Sequence, residues 1–313
     1  MGRSIRAIPG GALSPPTPAL SPARHGPSSA YAAVGATTLL WSVNYSFAKM
    51  AVLEIDPFAV ALVRVLVVTP LFFLALARRG GLVRPTLSEL RVALPLGLTG
   101  VLANQVFFIT GIRRTTPAHS SLVVALLPVL VMVLASFLLG ERLTRLKIAG
   151  VVVAFAGVAI ISVREGWSFS REILAGDLLT LCGVCAFAYY TVAGKEVIPR
   201  LGVLRTTALV FLTGGGLMVP LTLPAALRQP WGSVSATGWL ALAYVVFVGT
   251  FLCYLLYYWA LARIDSGKVA AFTYLQPVLA GTVSYLILGE AIQGRFVLGG
   301  LAILTGVYLA ERG

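Results

Sequence analysis

Residues 126–141 read LLPVLVMVLASFLLGE, and residues 275–290 read LQPVLAGTVSYLILGE. Each is an oily run with proline in third place and Gly-Glu at its end. Runs this long and this poor in charge exceed an ordinary strand and suit a membrane-spanning helix. The echo extends outward. A shift of 149 lays Gly150, Gly157 and Val158 over Gly299, Gly306 and Val307, Gly100 over Gly249, and Arg114 over Arg263. A shift of 146 lays WSVNYSFAK (41–49) over FAYYTVAGK (187–195). Leucine matches between apolar helices are cheap. Proline, glycine, glutamate and lysine matches in chain order are not, so the chain reads as a duplicated unit.

Composition gives the same class. Of 313 residues, 58% are hydrophobic and 11% charged, with mean hydropathy +0.92. Soluble domains carry about 25% charged residues, so this chain cannot cover a water-facing surface. The net charge of +13 is scattered between apolar runs without a basic cluster, which speaks against nucleic acid and for loop charge that orients a membrane protein. Cys182 and Cys185 have redox or zinc spacing but no second Cys/His pair nearby, so they read as small apolar helix residues. No metal, cofactor or disulfide framework is expected.

The expected fold class is all-α, with ten transmembrane helices in two five-helix inverted repeats. Residues 1–29, rich in Pro, Ser, Gly and Arg, read as a disordered cytoplasmic tail without a signal-peptide core. Ten apolar runs of about 20 residues follow, the length that crosses a hydrocarbon core of about 30 Å. The first repeat covers 30–163, a linker 164–175, the second repeat 176–313. Five is odd, so the second unit enters with opposite polarity, as in many secondary transporters. With the N-terminus inside, basic residues on the cytoplasmic side outnumber those opposite by more than two to one, which puts both termini in the cytoplasm.

WSVNYSFAK in the first helix, an arginine early in the second (LVRVLVV, Arg64), and PVL…LLGE followed by a glycine-bearing helix in both halves together resemble the EamA-type permeases of the drug/metabolite transporter superfamily. The resemblance spans about 30–310. It implies a bacterial inner-membrane carrier that exports or exchanges small metabolites, often amino acids, and leaves the substrate open.

The residues themselves point to a solute path rather than an active site. Every carboxylate after the tail falls at a helix end or in a loop, which argues against a buried proton relay. The small multidrug relatives use a glutamate in the first helix, where this chain has Trp41, Asn44 and Tyr45. These three and Lys49 share one helix face. Phe187, Tyr190, Thr191 and Lys195 share the matching face of the sixth helix. Polar groups in lipid must face the bundle interior or water, so Trp41, Asn44, Tyr45 and Tyr190 are expected to bind substrate. Asn104 and Gln105 in the third helix either bind it too or bridge helices. In the eighth helix Tyr254 and Tyr258 are the cavity pair, while Tyr257 and Trp259 suit an interfacial belt as well as they suit the cavity. Pro128 and Pro277 are expected to kink the fourth and ninth helices as hinges, the first helped by a Thr116-Pro117 start and the second by Asp265-Ser266 caps. Around Pro277 lie Thr273, Tyr274 and Gln276, whose counterparts Val124, Ala125 and Leu127 are apolar, so the site is expected to be lopsided. Lys49, Arg64 and Lys195 are candidate contacts for a substrate anion; the alternative is that each lysine snorkels to its interface and Arg64 makes a structural contact to loop carbonyls. The repeating glycines of the fifth and tenth helices are packing faces, within the chain or in a homodimer. The expected partners are a small-molecule substrate and the lipid bilayer. A carrier of nucleotide-sugars or phosphorylated metabolites is the alternative within transport; a membrane-embedded enzyme and a non-transporting receptor are the alternatives outside it.

Overall fold

The structure, a computed structural model, describes residues 27–81, 84–115, 120, 123–162, 171–276, 279 and 294–313. Among these there is helix and turn but no strand. In chain order the helices are α1 (Pro27–Glu54), α2 (Pro57–Arg78), α3 (Leu87–Arg114), α4 (Leu127–Leu139), α5 (Arg145–Ser162), α6 (Arg171–Leu201), α7 (Val203–Arg228), α8 (Ala236–Leu261), α9 (Ser266–Ala271) and α10 (Gly294–Arg312). Five of the described helices (α2, α3, α6, α7 and α8) are long and apolar enough to cross a bilayer unaided. This is a multi-pass helical membrane protein.

Local sequence sets the ends. Asp56 accepts from the Phe58 amide at 2.8 Å and Pro57 takes the first helical position, so α2 starts sharply. Thr86 and Glu89 form a reciprocal capping box on α3. The Glu89 carboxylate also takes both Arg205 Nε and Nη2, at 2.8 and 2.9 Å, which ties α3 to α7. Gly140 closes α4 at φ +68°, a left-handed turn that favours glycine.

Two helices change register inside the bundle. α3 is π-helical over Leu98–Ala103 and α8 over Tyr244–Leu252. The widened turns contain Gly100 and Gly249, positions related by the shift of 149. An added Cβ on Gly100 would run into the Tyr190 ring, and one on Gly249 into the Asn44 amide. Tyr190 and Asn44 are themselves related by the shift of 146.

Other equivalent positions make equivalent contacts. The Lys49 amine donates to the Ile112, Arg113 and Thr115 carbonyls at 2.9, 3.2 and 3.1 Å, closing the end of α3. The Lys195 amine donates to the Ile264 carbonyl at 3.0 Å, just past the end of α8. It also pairs with Glu141 at 3.6 Å and Asp265 at 3.5 Å. α5 and α10 meet backbone to backbone: a Cβ on Gly150 would lie 2.6 Å from the Gly306 carbonyl, and one on Gly157 2.6 Å from that of Gly299. The repeating glycines are therefore spent within the chain. Elsewhere α1 packs on α8, α2 on α7, and α3 on α6.

Two local expectations need correction. The segment expected to be the fourth span does not bend through Pro128. The chain turns at 125–126 and a new helix begins at Leu127, with Pro128 in its first turn. Proline lacks the amide that a continuous helix needs there, and the first turn is where that loss costs nothing. The ninth span also narrows before its proline, to a 3₁₀ turn over Phe272–Tyr274. Asp265 precedes α9 but its side chain makes no cap bond; it faces Lys195 instead. Thr116, Pro117 and Pro277 lie outside the described residues.

Candidate functional site: a central cavity

A cavity of about 100 Å³ lies among the middles of the helices. Its wall comprises Trp41, Asn44 and Tyr45 from α1, Arg64 from α2, and Asn104 and Phe108 from α3. Val124 and Leu127 flank the turn before α4, Val184 and Phe187 come from α6, Gly249 and Tyr254 from α8, and Thr273 and Gln276 from the segment after α9.

The wall is aromatic on one side. The Trp41 ring centroid lies 5.8 Å from Phe187, 5.3 Å from Tyr257 and 6.5 Å from Tyr254. Tyr45 meets Phe108 edge-on at 5.8 Å. Such edge and tilted contacts hold rings firmly, so these walls are preformed. Trp41 Nε1 donates to the Gly249 carbonyl at 3.0 Å, and the Tyr254 hydroxyl to the Gly100 carbonyl at 2.8 Å. Both acceptors sit in the π-helical turns, where the widened register takes carbonyls out of the usual helix ladder.

The polar groups fall into two kinds. Some are engaged at one atom: Tyr45 donates to Gln276 Oε1 at 2.8 Å, Asn104 Nδ2 to the Gly183 carbonyl at 3.1 Å, and Thr273 to the Ala270 carbonyl at 2.7 Å. Others lack a full set of partners. Asn44 Oδ1 is buried against Gly249 without a hydrogen bond. Arg64, 6% exposed, makes one bond, from Nε to Thr250 Oγ1 at 2.9 Å. Among the described residues no carboxylate lines the cavity, and no cluster of His, Cys, Asp or Glu could hold a metal.

The lopsided pattern has a geometry. Val124 and Leu127 are register mates of Thr273 and Gln276 by the shift of 149, and all four reach the wall. The same frame thus presents an oily pair from one unit and a hydrogen-bonding pair from the other. Their neighbours Ala125 and Tyr274 turn away together into a second buried cluster beside α5 and α10.

Several expected contacts lie off the wall. Tyr190 and Tyr258 are fully buried and stacked on each other at 4.7 Å. Gln105 is buried behind Asn104. Tyr257 is not in an interfacial belt: it is 1% exposed and bonded to Thr191 at 3.0 Å. Trp259, a helical step farther round, carries the Arg263 guanidinium over its ring at 3.8 Å. Lys49 and Lys195 sit beyond the cavity at helix ends. Sequence reading left Phe108, Val184, Gly249 and Thr250 unassigned. Phe108 was findable as the residue one turn beyond Asn104, and Gly249 as the mate of Gly100; Thr250 carried no signal.

Comparison with known proteins fits this arrangement. The model of the EamA-like transporter family matches twice, at residues 28–163 and 174–311. An uncharacterized transporter of Archaeoglobus fulgidus is 30% identical over 275 residues, 87% of this chain and 94% of its own. A probable amino-acid metabolite efflux pump of Salmonella typhimurium is 27% identical over 87% of this chain and 91% of its own. A probable terminal-alkyne amino-acid exporter of Streptantibioticus cattleyicolor is 29% identical over 74% of this chain and 76% of its own. A crystal structure 22% identical in sequence superposes with a TM-score of 0.74 over 91% of this chain and 97% of that one, which speaks to the fold. With a cavity at its centre, helices that cross the bilayer and two family matches that fill the chain, this protein belongs to the EamA-like transporter family, a family of membrane transporters.

Proposed function

We propose that the chain is a ten-span carrier that exports or exchanges small amphipathic metabolites, amino acids and their relatives among them, across the bacterial inner membrane, with both termini cytoplasmic. Two five-span units, 30–163 and 176–313, enter the membrane with opposite polarity and pack about a pseudo-two-fold axis in its plane. Such a pair has two similar packings, one open to each side, which is the physical basis of alternating access.

The observation that carries this reading is the shared wall: Val124 and Leu127 line the same cavity as Thr273 and Gln276, from matching register positions. A solute there is held by both units and is released when their packing changes. The aromatic wall takes the apolar part of the solute, and Asn44, Asn104 and Gln276 its polar groups. A volume of about 100 Å³ is well under the roughly 300 Å³ where drug-sized pockets begin, in keeping with a small metabolite. The names of the Salmonella and Streptantibioticus relatives favour amino-acid compounds and the outward direction. No described carboxylate faces the cavity, so the mechanism runs down a solute gradient without a buried proton relay.

Counterflow in proteoliposomes with a panel of amino acids, with and without a pH gradient, tests the proposal. Acceleration by an internal solute in the absence of the gradient is expected. No acceleration by any solute would count against a carrier, and strict dependence on the gradient against the uncoupled mechanism.

A further inference from the structure

Arg64 is 6% exposed and lines the cavity, yet among the described residues it has no carboxylate partner. Its two terminal nitrogens make no hydrogen bond there, and neither is sealed away from the cavity. A buried guanidinium without a counter-charge is costly, and in membrane proteins such a group is paired or faces a watery path. The structure does supply something: orientation. Thr250 hydroxyl donates to the Val245 carbonyl at 2.7 Å, five residues back. The other buried threonines that bond within their own helices, such as Thr180 and Thr222, reach four residues back. The five-residue reach comes from the π-helical turn; with its hydrogen committed to Val245, the Thr250 hydroxyl meets Arg64 Nε as an acceptor. With Nε fixed, the planar fork formed by the other two nitrogens is the part left for a ligand.

We propose that Arg64 is the anion-binding residue of the cavity and Thr250 its positioning residue, so that the solutes carried bear a carboxylate. This rests on the carrier reading above. A guanidinium fork matches a carboxylate with two parallel hydrogen bonds. The site therefore selects by head group, while the aromatic wall tolerates variety in the rest of the solute.

The test pairs L-leucine, L-phenylalanine and L-threonine with their amides, which keep the ammonium and the side chain but lack the carboxylate. Counterflow and ligand-induced thermal stabilisation are measured on the purified wild type, Arg64→Gln, Arg64→Lys, Thr250→Val and Thr250→Ser, each checked for monodispersity. In the wild type at least one acid should half-saturate at a concentration about tenfold or more below its amide, the scale of a charge-assisted hydrogen-bonded pair. Arg64→Gln should bring that ratio close to one, and Arg64→Lys should restore only part of it. Thr250→Val should raise half-saturation for the acid several-fold with maximal rate unchanged, and Thr250→Ser should recover it. If Arg64→Gln does not fold, the threonine pair decides. An acid-to-amide ratio unchanged in Arg64→Gln or Thr250→Val overturns the assignment while leaving the carrier standing. If the wild type moves no member of any pair, the carrier reading fails and thermal stabilisation decides for Arg64. Equal shifts by acid and amide, or none by any acid, overturn it.

Discussion

Replacing Lys49 by methionine separates a structural lysine from a substrate-binding one. The amine reaches three carbonyls at 2.9–3.2 Å at the end of α3, where the helix dipole is negative. A net hydrogen bond contributes about 1 kcal/mol. Three that share one half-buried amine should contribute about 2–3 kcal/mol, while methionine keeps the stem packing. Lys195 makes one such bond, at 3.0 Å. Its two carboxylate partners stand at 3.5 and 3.6 Å on a side chain 26% exposed, and exposed pairs contribute about 0–1 kcal/mol each. Lys195→Met should therefore cost about 1–2 kcal/mol, roughly 1 kcal/mol less than Lys49→Met. Unfolding of both variants in dodecyl maltoside titrated with dodecyl sulfate, followed by circular dichroism, reads the difference. Counterflow half-saturation should stay at the wild-type value in both. An unchanged unfolding curve for Lys49→Met together with a several-fold rise in half-saturation would refute the reasoning and return Lys49 to the substrate.

Neighbouring glycines in α7 should respond in opposite directions. An added Cβ on Gly214 runs into the Gly97 carbonyl while one on Gly216 meets open space, so Gly214→Ala should lose about 1–3 kcal/mol and Gly216→Ala gain about 0.5–1 kcal/mol; the same unfolding assay checks both. Glu89→Gln leaves Arg205, whose side chain is 11% exposed, without its carboxylate, and should cost about 2–4 kcal/mol. A double change of Glu89 and Arg205 to apolar residues should recover much of that loss. Gln276→Ala should impair counterflow more than Leu127→Ala, although both residues line the cavity; equal effects would remove the idea of a lopsided site.

The outline of the fold is legible in the sequence because its signals are covalent in origin. Apolar run length and glycine placement do not depend on what packs nearby. Gly140 ends α4 as its position beside Glu141 implies, and the α1 face of Trp41, Asn44 and Tyr45 reaches the cavity as its spacing implies. What stayed hidden depends on partners. Tyr254, Tyr257, Tyr258 and Trp259 occupy most of the circumference of α8, so spacing alone cannot say which of them meets the solute. The stacking of Tyr258 on Tyr190 and the bond from Tyr257 to Thr191 decide it. The π-helical turns left only a pair of matched glycines as a trace, and the role of Thr250 follows from the turn rather than from its own identity. Pro128 marks the right place but the wrong shape, since proline begins a helix as readily as it bends one.

The pairing of helices has a consequence for synthesis. α1 rests on α8, α2 on α7, α3 on α6, and α5 on α10. When α1 to α5 have left the ribosome, the faces that α1, α2, α3 and α5 bury against later helices are still uncovered. The partner of α3 is absent until α6 arrives. Assembly then closes in chain order and ends with the α5–α10 seam. A late truncation that removes α10 would leave the glycines of α5 uncovered and yield a product for quality-control proteases rather than a weakened transporter.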